Sequence, residues 1–450
     1  MSDAVTTHGP VSPARATAFA VLLRVFEDGA WADRALVGEA GRRGLDPRDR
    51  GLATQLAFGT VQRVDTLDHL ITVLAGREPA KLEAPVRAAL RLGLYQVAFL
   101  SRIPDHAAVT ESVELAKEHS PRGAGLVNAV LRRATREARD RVAALPETTP
   151  AQAALKFSHP EWIAELWFAE LGPEAARALM AAGNRPPEPV LRANTLKITA
   201  EALAAELPVA SRRAHGLPEA LVLEAPFDAH GSPLHAQGLY MPQSRAAQAV
   251  ARVLDPQPGE RVLDLCAAPG GKTTHLAALM GGEGAVVAVE HDATRAEHLR
   301  RTAARLGAET VEVRHADAAE LDEPEAYDRV LVDPPCSDLG TLALRPDARW
   351  RKQPGDPARL AALQSAILRA GAAALAPGGT LVYSTCTISP LENERLVTAF
   401  LEATPAFEAE PARLSDLSVW EHPSVPRFLQ TLPHRDGTDG FFIARLRKHG

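Results

Sequence analysis

Cysteine is scarce in this chain: 450 residues contain only Cys266, Cys336 and Cys386. No two of them stand at CxxC spacing, which excludes a disulfide framework and a thiolate zinc centre, so no metal is expected. Long apolar runs are missing as well. None approaches the length needed to cross a bilayer, and the sequence reads as a soluble protein with no membrane partner. The opening MSDAVTTHGPVSPARAT carries an early acid and no apolar signal core; it reads as a short disordered lead, and a cytoplasmic location is expected. Strong positive charge is also absent. The net charge of −6 does not announce a nucleic-acid binder and leaves only local patches to consider. The best of these, RGAGLVNAVLRRATREARDR, gathers Arg122, Arg132, Arg133, Arg136, Arg139 and Arg141 on or beside one predicted helix. It reads either as a phosphate-facing surface or as a solvated helix face.

What is present divides the chain. Its length allows two or three domains, each with its own core. From residue 13 to about 147, apolar residues recur at helical spacing, as Phe19, Leu22 and Phe26 do in one stretch and Val86, Leu90, Leu94 and Val97 in another, so an all-α bundle is expected. LPETTPAQ reads as the linker that ends it. Residues 155–240 mix helical pieces with a strand candidate, PVLRANTLK, and read as a small α+β element. Within 241–450, strand candidates ERVLDLC, AVVAVE, VEVRHAD, RVLVDPP and TLVYSTC alternate with helical stretches, which predicts a doubly wound α/β domain with a parallel sheet covered on both faces. Ligands of such sheets lie beyond the carboxyl ends of the strands. All three cysteines and the acids Glu290, Asp317 and Asp333 fall at those ends and should converge on one crevice.

The stretch LDLCAAPGGKT follows the first of these strands and opens a helix. Its small residues Ala267, Ala268, Gly270 and Gly271 let a ligand approach the backbone, and the helix start offers free N–H groups. A P-loop is one reading, because Gly271, Lys272 and Thr273 fit it, but Cys266 stands where its first glycine belongs. A nucleoside site without a triphosphate fits better, with Glu290 at the second strand end on the ribose hydroxyls and Asp317 at the third facing an adenine amino group. Together these suggest S-adenosylmethionine. In VDPPCS the prolines either end the strand as a simple turn or hold Asp333 and Cys336 rigidly at the crevice edge. A cysteine where an aromatic ring would serve an exocyclic-amine methylase points towards a carbon target. C5 of cytosine is a poor nucleophile until a thiolate adds at C6, so that chemistry requires a cysteine. Its thiol should be exposed and its pKa lowered, a task for Lys272, while Asp333 could meet the N3 and N4 edge of the base. On this reading Cys336 and Cys386 both qualify as nucleophile.

LDLCAAPGGKTTHLA, VLVDPPCSDLGTL, YSTCTISPLENE and the terminal DGFFIARL, taken in order, resemble the RNA cytosine-5 methyltransferases of the Sun/Nop group. The helical first domain resembles the NusB fold carried by the bacterial members that act on 16S rRNA, and PVLRANTLK resembles the start of their small RNA-contacting element, so the resemblance covers nearly the whole chain. It implies a NusB-like RNA-binding domain over 13–147, the RNA-contacting element over 155–240 and a Rossmann-like methyltransferase domain over 241–450. The implied cofactor is S-adenosylmethionine and the implied partner small-subunit rRNA; no oligomer is implied. The cysteine of the TC motif, Cys386, is the implied nucleophile, and that of the PC motif, Cys336, assists release of the methylated base. Cys266, Ala267, Ala268, Pro269, Gly270, Gly271 and Lys272 would line the methionine and ribose part of the cofactor, Cys266 in a structural role with its backbone towards the ligand. Glu290 would bind the ribose, Asp317 the adenine, and Asp333 would sit between cofactor and base. Many relatives carry Asp where Glu290 stands, and Glu can make the same bidentate ribose contact. An RNA-binding assembly factor with an idle catalytic domain is the alternative in another class.

Overall fold

The computed structural model describes residues 11–412 and 420–450. Residues 1–10, most of the lead expected to be unstructured, lie outside the described residues. The chain forms two compact units, Met1–Arg185 with Leu342–Lys352 and Pro186–Thr341 with Gln353–Gly450. The division falls within the 155–240 stretch: its helix Glu161–Ala182 belongs to the first unit, and its strands, with the short helices Ala200–Glu206 and Pro233–Ala236, belong to the second.

The first unit is helical. Seven α-helices, Pro13–Phe26, Ala32–Arg43, Pro47–Gln62, Val64–Ala75, Ala84–Phe99, Asp105–His119 and Ala124–Ala143, bury Phe19, Leu22, Leu90, Leu94 and Val97 in one core. The local rules are plain at their ends. Asp46 caps the third helix by accepting from the Asp49 N–H, and Gly44 and Gly76 close the second and fourth in left-handed geometry, as caps of these types should. LPETTPAQ is more than the expected linker: Thr149 and Gln152 form a reciprocal capping box that starts the helix Pro150–Phe157. The signature is the Thr-x-x-Gln spacing, which the proline and threonine content obscured.

The second unit begins with a four-stranded antiparallel sheet, β1 (Val190–Ala193), β2 (Ser211–Ala214), β3 (Leu217–Leu223) and β4 (Tyr240–Pro242), in the order β2-β3-β1-β4. The larger sheet follows: β5 (Arg261–Leu265), β6 (Ala285–Glu290), β7 (Val311–His315), β8 (Tyr327–Val332), β9 (Leu375–Thr385), β10 (Phe407–Glu410), β11 (Leu429–Gln430) and β12 (Phe442–Lys448). Its order is β10-β12-β9-β8-β5-β6-β7, with β11 also paired to β12. From β9 to β7 the pairing is parallel. The sheet is therefore mixed, because β12, formed by the terminal FFIARL run, lies antiparallel against β9.

Alternate residues of the strands feed two cores, as a sheet covered on both faces requires. Val262, Val286, Leu331, Val382 and Ile443 pack with helices Arg245–Leu254 and Gly271–Leu279. Leu263, Val287, Val330, Leu381 and Phe442 pack with helices Asp356–Ala374 and Glu394–Ala403. With both faces occupied, the carboxyl ends of the parallel strands are the open side on which ligands can be met.

Candidate active site

The loop after β5 bends sharply back towards its neighbour strand. Cys266 adopts a φ of 65°, the Ala267 N–H donates to the Val289 carbonyl at 3.0 Å, and Arg295 holds the Ala268 carbonyl at 2.9 Å. Pro269 is exposed. Gly270 has a φ of 100°, and a Cβ there would stand 2.5 Å from Leu299 Cδ1, so the turn needs glycine for its conformation and for space. Gly271 opens the helix Gly271–Leu279, whose N-terminus has no side-chain cap; its first N–H groups point out of the turn for a ligand.

One side chain that the sequence reading missed fixes this loop. Arg192 of β1 is fully buried. Its guanidinium donates to the Gly271 carbonyl, to Gln243 Oε1 at 2.6 Å and to Thr274 Oγ1 at 3.0 Å. Burial, reinforced by the nearby charge of Arg305, brings its pKa down to about 9. The small sheet thus reaches into the helix start, a contact between residues far apart in sequence that no local pattern announces.

At the end of β6, Glu290 is buried. Its Oε1 accepts the Asp292 N–H at 3.0 Å, whereas Oε2 makes no hydrogen bond and has Arg295 at 3.5 Å. A buried carboxylate oxygen without a donor is costly unless a ligand supplies one, and a ribose hydroxyl is a donor of the right kind. Asp317, two residues beyond β7, is exposed; its Oδ1 accepts the Ala319 N–H at 2.9 Å, and the Ala316 N–H is tied to the Glu290 carbonyl at 3.2 Å. Cys266 faces the same charges. Burial and the negative charges of Asp333, Glu290 and Asp264 push its thiol far above the usual range, which suits an inert packing residue.

The ends of β8 and β9 carry the second half of the crevice. Lys272 Nζ donates to Asp333 Oδ2 at 2.7 Å, Ser384 Oγ donates to Asp333 Oδ1 at 2.9 Å, and the Lys272 ammonium also lies 5.2 Å from the Phe441 ring centroid. Burial works against the charge of Lys272, but Asp333 outweighs it and the pKa ends above the ordinary lysine value. The ammonium is committed to Asp333. Cys336 Sγ and Cys386 Sγ are 3.3 Å apart. The hydrogen bond with Cys336 raises the Cys386 pKa well above the ordinary thiol value, as do burial and the carboxylates of Asp338 and Asp333. The expectation of an exposed, acidified thiol is therefore corrected: Cys386 is only partly exposed, and acids surround it while Lys272 is spent on one of them.

A second missed residue sets the distance between the two cysteine loops. Glu392 is fully buried and accepts from the Ser337 N–H at 2.8 Å, from Ser337 Oγ at 2.5 Å and from Gln364 Nε2 at 2.9 Å; Gln364 Nε2 donates also to the Pro335 carbonyl at 2.9 Å. The Gly340 N–H donates to the Cys386 carbonyl at 3.0 Å. The loop carrying Cys336 is thereby tied to the Cys386 loop through side chain and backbone alike.

Parallel strands that end in an uncapped glycine turn, a buried carboxylate with one oxygen lacking a donor and two thiols in contact are the build of a nucleoside-cofactor transferase with a cysteine centre. The family comparisons agree with this class. The description "16S rRNA methyltransferase RsmB/F" matches residues 251–447, the NusB family matches 12–136, and the ferredoxin-like domain of RsmF/B-like methyltransferases matches 159–230. The "Probable ribosomal RNA small subunit methyltransferase B" of Synechocystis is 38% identical over 97% of this chain and 99% of its own. The "Ribosomal RNA small subunit methyltransferase B" of Pseudomonas putida is 37% identical over 90% of this chain and 92% of its own. Among solved structures, PH0851 superimposes with a TM-score of 0.81 at 27% identity, covering 97% of this chain and 99% of that one. NSun6 from Pyrococcus horikoshii with SFG does so with a TM-score of 0.60 at 25% identity, covering 65% of this chain and 98% of that one.

The chain belongs to the RsmB/F family of 16S rRNA methyltransferases. It is an S-adenosylmethionine-dependent RNA methyltransferase with an all-helical NusB domain, a ferredoxin-like middle domain and an α/β methyltransferase domain. The residues present fit that cofactor: the Glu290 oxygen without a donor and the uncapped helix start offer an acceptor and N–H donors to a nucleoside.

Proposed function

We propose that the protein methylates C5 of a cytosine in 16S rRNA through a covalent bond between Cys386 and C6 of the base. The observation that carries this reading is the pair of thiols 3.3 Å apart, set at the ends of adjacent strands beside Asp333. S-adenosylmethionine, when bound, supplies an electrophilic methyl group. Cys386 as thiolate adds to C6, the C5=C6 electron pair moves to C5, and C5 becomes nucleophilic enough to take the methyl group. The C5 proton then passes to solvent water, its C–H pair re-forms the C5=C6 bond, and the Cys386 sulfur departs with the S–C6 pair, which restores the aromatic ring. Cys336, in contact with the Cys386 sulfur, assists that departure. Asp333, fixed by Lys272 and Ser384, meets the N3 and N4 edge of the base.

In the same reading the Cys266–Lys272 loop holds the methionine and ribose part of the cofactor, Glu290 the ribose and Asp317 the adenine. The target base leaves its stack to enter the crevice. Residues 13–147 bind RNA, 155–240 contact it next to the base and 241–450 perform catalysis, with small-subunit rRNA as partner and the cytoplasm as compartment. The test is to incubate the protein with unmodified small-subunit rRNA and methyl-labelled S-adenosylmethionine and to map the label. A single cytosine resistant to bisulfite conversion is expected. Label on an exocyclic amine or a ribose would overturn the reading, and cofactor binding without transfer to any RNA would favour the assembly-factor alternative.

A further inference from the structure

One side chain at the two-thiol centre has no part in the reaction as written above. Asp338 stands two residues after Cys336 with a φ of 55°, a left-handed conformation that glycine and asparagine adopt readily and most residues avoid. The loop holds it there from both sides: its carbonyl accepts the Thr341 N–H at 3.1 Å and Thr341 Oγ1 at 3.2 Å. The result is that Asp338 Oδ1 lies 3.2 Å from Cys386 Sγ and 3.6 Å from Cys336 Sγ. The three reactive atoms are all within 4.8 Å of one another.

The groups facing Cys386 are Cys336, Asp338, Asp333 and, at longer range, Lys272. Both oxygens of Asp333 already accept hydrogen bonds, from Lys272 and Ser384, and the Lys272 ammonium is spent on that pair. A thiol that these neighbours keep protonated must lose its proton before it can attack, since the thiolate is the nucleophile. The Asp338 oxygen is the carboxylate in hydrogen-bond contact with that proton.

We propose that Asp338 is a catalytic base for the nucleophile: it takes the Cys386 thiol proton as the S–C6 bond forms. The inference rests on the covalent reading above. In the step, the S–H bond breaks and its proton passes to Asp338 Oδ1. The sulfur pair forms the S–C6 bond, and the C5=C6 pair moves to C5, leaving the negative charge on the ring. When the S–C6 bond later breaks, Cys386 leaves as thiolate and recovers the proton from the Asp338 carboxylic acid, so the centre returns to its starting state.

The opposite role is physically available, because a carboxylate beside a thiol also disfavours its ionisation, and the two roles predict opposite signs. The experiment measures the rate at which wild type, Asp338→Asn and Asp338→Gly form a denaturation-resistant adduct with 5-fluorocytidine-substituted small-subunit rRNA in the presence of S-adenosylmethionine. Both replacements suit the backbone conformation at this position, so the loop should persist, and a thermal melt checks that it does. The expected result is adduct formation slowed by about 10²–10⁴-fold in both variants, the usual range for a lost general base, with cofactor and RNA affinities unchanged. In the variants the rate should also rise about tenfold per pH unit, because the thiol must then ionise to solvent. Adduct formation that is unchanged or faster in Asp338→Asn overturns the proposal. Wild type forming no adduct at all would overturn the covalent reading and this proposal with it, so the two failures are told apart by the wild-type lane.

Discussion

At the scale of single residues, one acid beside the crevice is held at odds with its ordinary chemistry. Asp264, one residue inside the end of β5, is fully buried and accepts from Thr273 Oγ1 at 2.7 Å, while its Oδ1 has no partner. Burial raises its pKa to about 7; the charges of Asp333 and Glu290 add to the rise, and the Thr273 hydroxyl and Lys272 oppose it. An acid whose pKa is higher folded than unfolded binds its proton more tightly in the folded state. Its contribution to stability is therefore undiminished below about pH 4 and is lost as pH rises towards 7. Asp264→Asn keeps an acceptor for Thr273 and removes the charge. The variant should melt higher than wild type above pH 7, by a stability difference of up to about 4 kcal/mol, and the difference should vanish near pH 4. Paired thermal melts across that range measure it; a variant less stable at pH 8 than wild type would contradict the assignment.

At the scale of elements, the parallel strands β5, β6, β8 and β9 were legible because each carries a largely buried, mostly apolar run that leads to a chemically active residue, whereas β7, VEVRH, lies at the sheet edge with no fully buried residue and showed only alternation. The run AVVAVE is β6 itself, and RVLVDPP stops where Pro334 and Pro335 remove donors from β8. The helical bundle was legible from its apolar spacing. The antiparallel β12 was not assigned as a strand, because FFIARL stands at the chain end outside the strand–helix alternation, and its place between β9 and β10 is set by pairings with strands earlier in the sequence. The contacts of Arg192 with the Gly271 turn and of Glu392 with Ser337 were not legible either, since a buried polar residue joined to a distant loop leaves no periodicity. Cys386 and Cys336 were expected to converge on one crevice, and their sulfurs lie 3.3 Å apart, but the acids that raise the Cys386 pKa come from loops whose approach only the fold sets. Gly340 depends on the same approach: its carbonyl accepts the Gly440 N–H at 2.8 Å, and a Cβ on it would stand 2.0 Å from the Gly440 carbonyl oxygen. Gly340→Ala must push the cysteine loop away from its neighbour. It should lower kcat by about 100-fold, the scale of a displacement near 1 Å at reacting groups, while S-adenosylmethionine binding by calorimetry stays near the wild-type value.

For the whole molecule, the proposed division of labour between RNA binding and chemistry requires the first unit to offer phosphate contacts. The arginine-rich helix is less uniformly basic than its sequence suggests. Arg133 and Arg141 pair with Glu137 and hold its carboxyl well below the usual range, and Arg139 pairs with Asp105; Arg132 and Arg136 are exposed. If the face meets phosphates, replacing Arg132, Arg133 and Arg136 by alanine should weaken rRNA binding and reduce the slope of log affinity against log salt by about 2. Filter binding at several salt concentrations reads both, and an unchanged slope would mark the face as merely solvated.

The covalent role of Cys386 is the claim on which the whole account turns, and its most direct test is a denaturing gel of wild type, Cys336→Ala and Cys386→Ala after incubation with unmodified small-subunit rRNA and methyl-labelled S-adenosylmethionine. The account predicts a slow-migrating labelled protein–RNA adduct in Cys336→Ala, where release is impaired, and none in Cys386→Ala. An adduct that appears only in Cys386→Ala would contradict it by reversing the two roles, and methyl transfer that survives in Cys386→Ala would remove the covalent mechanism altogether.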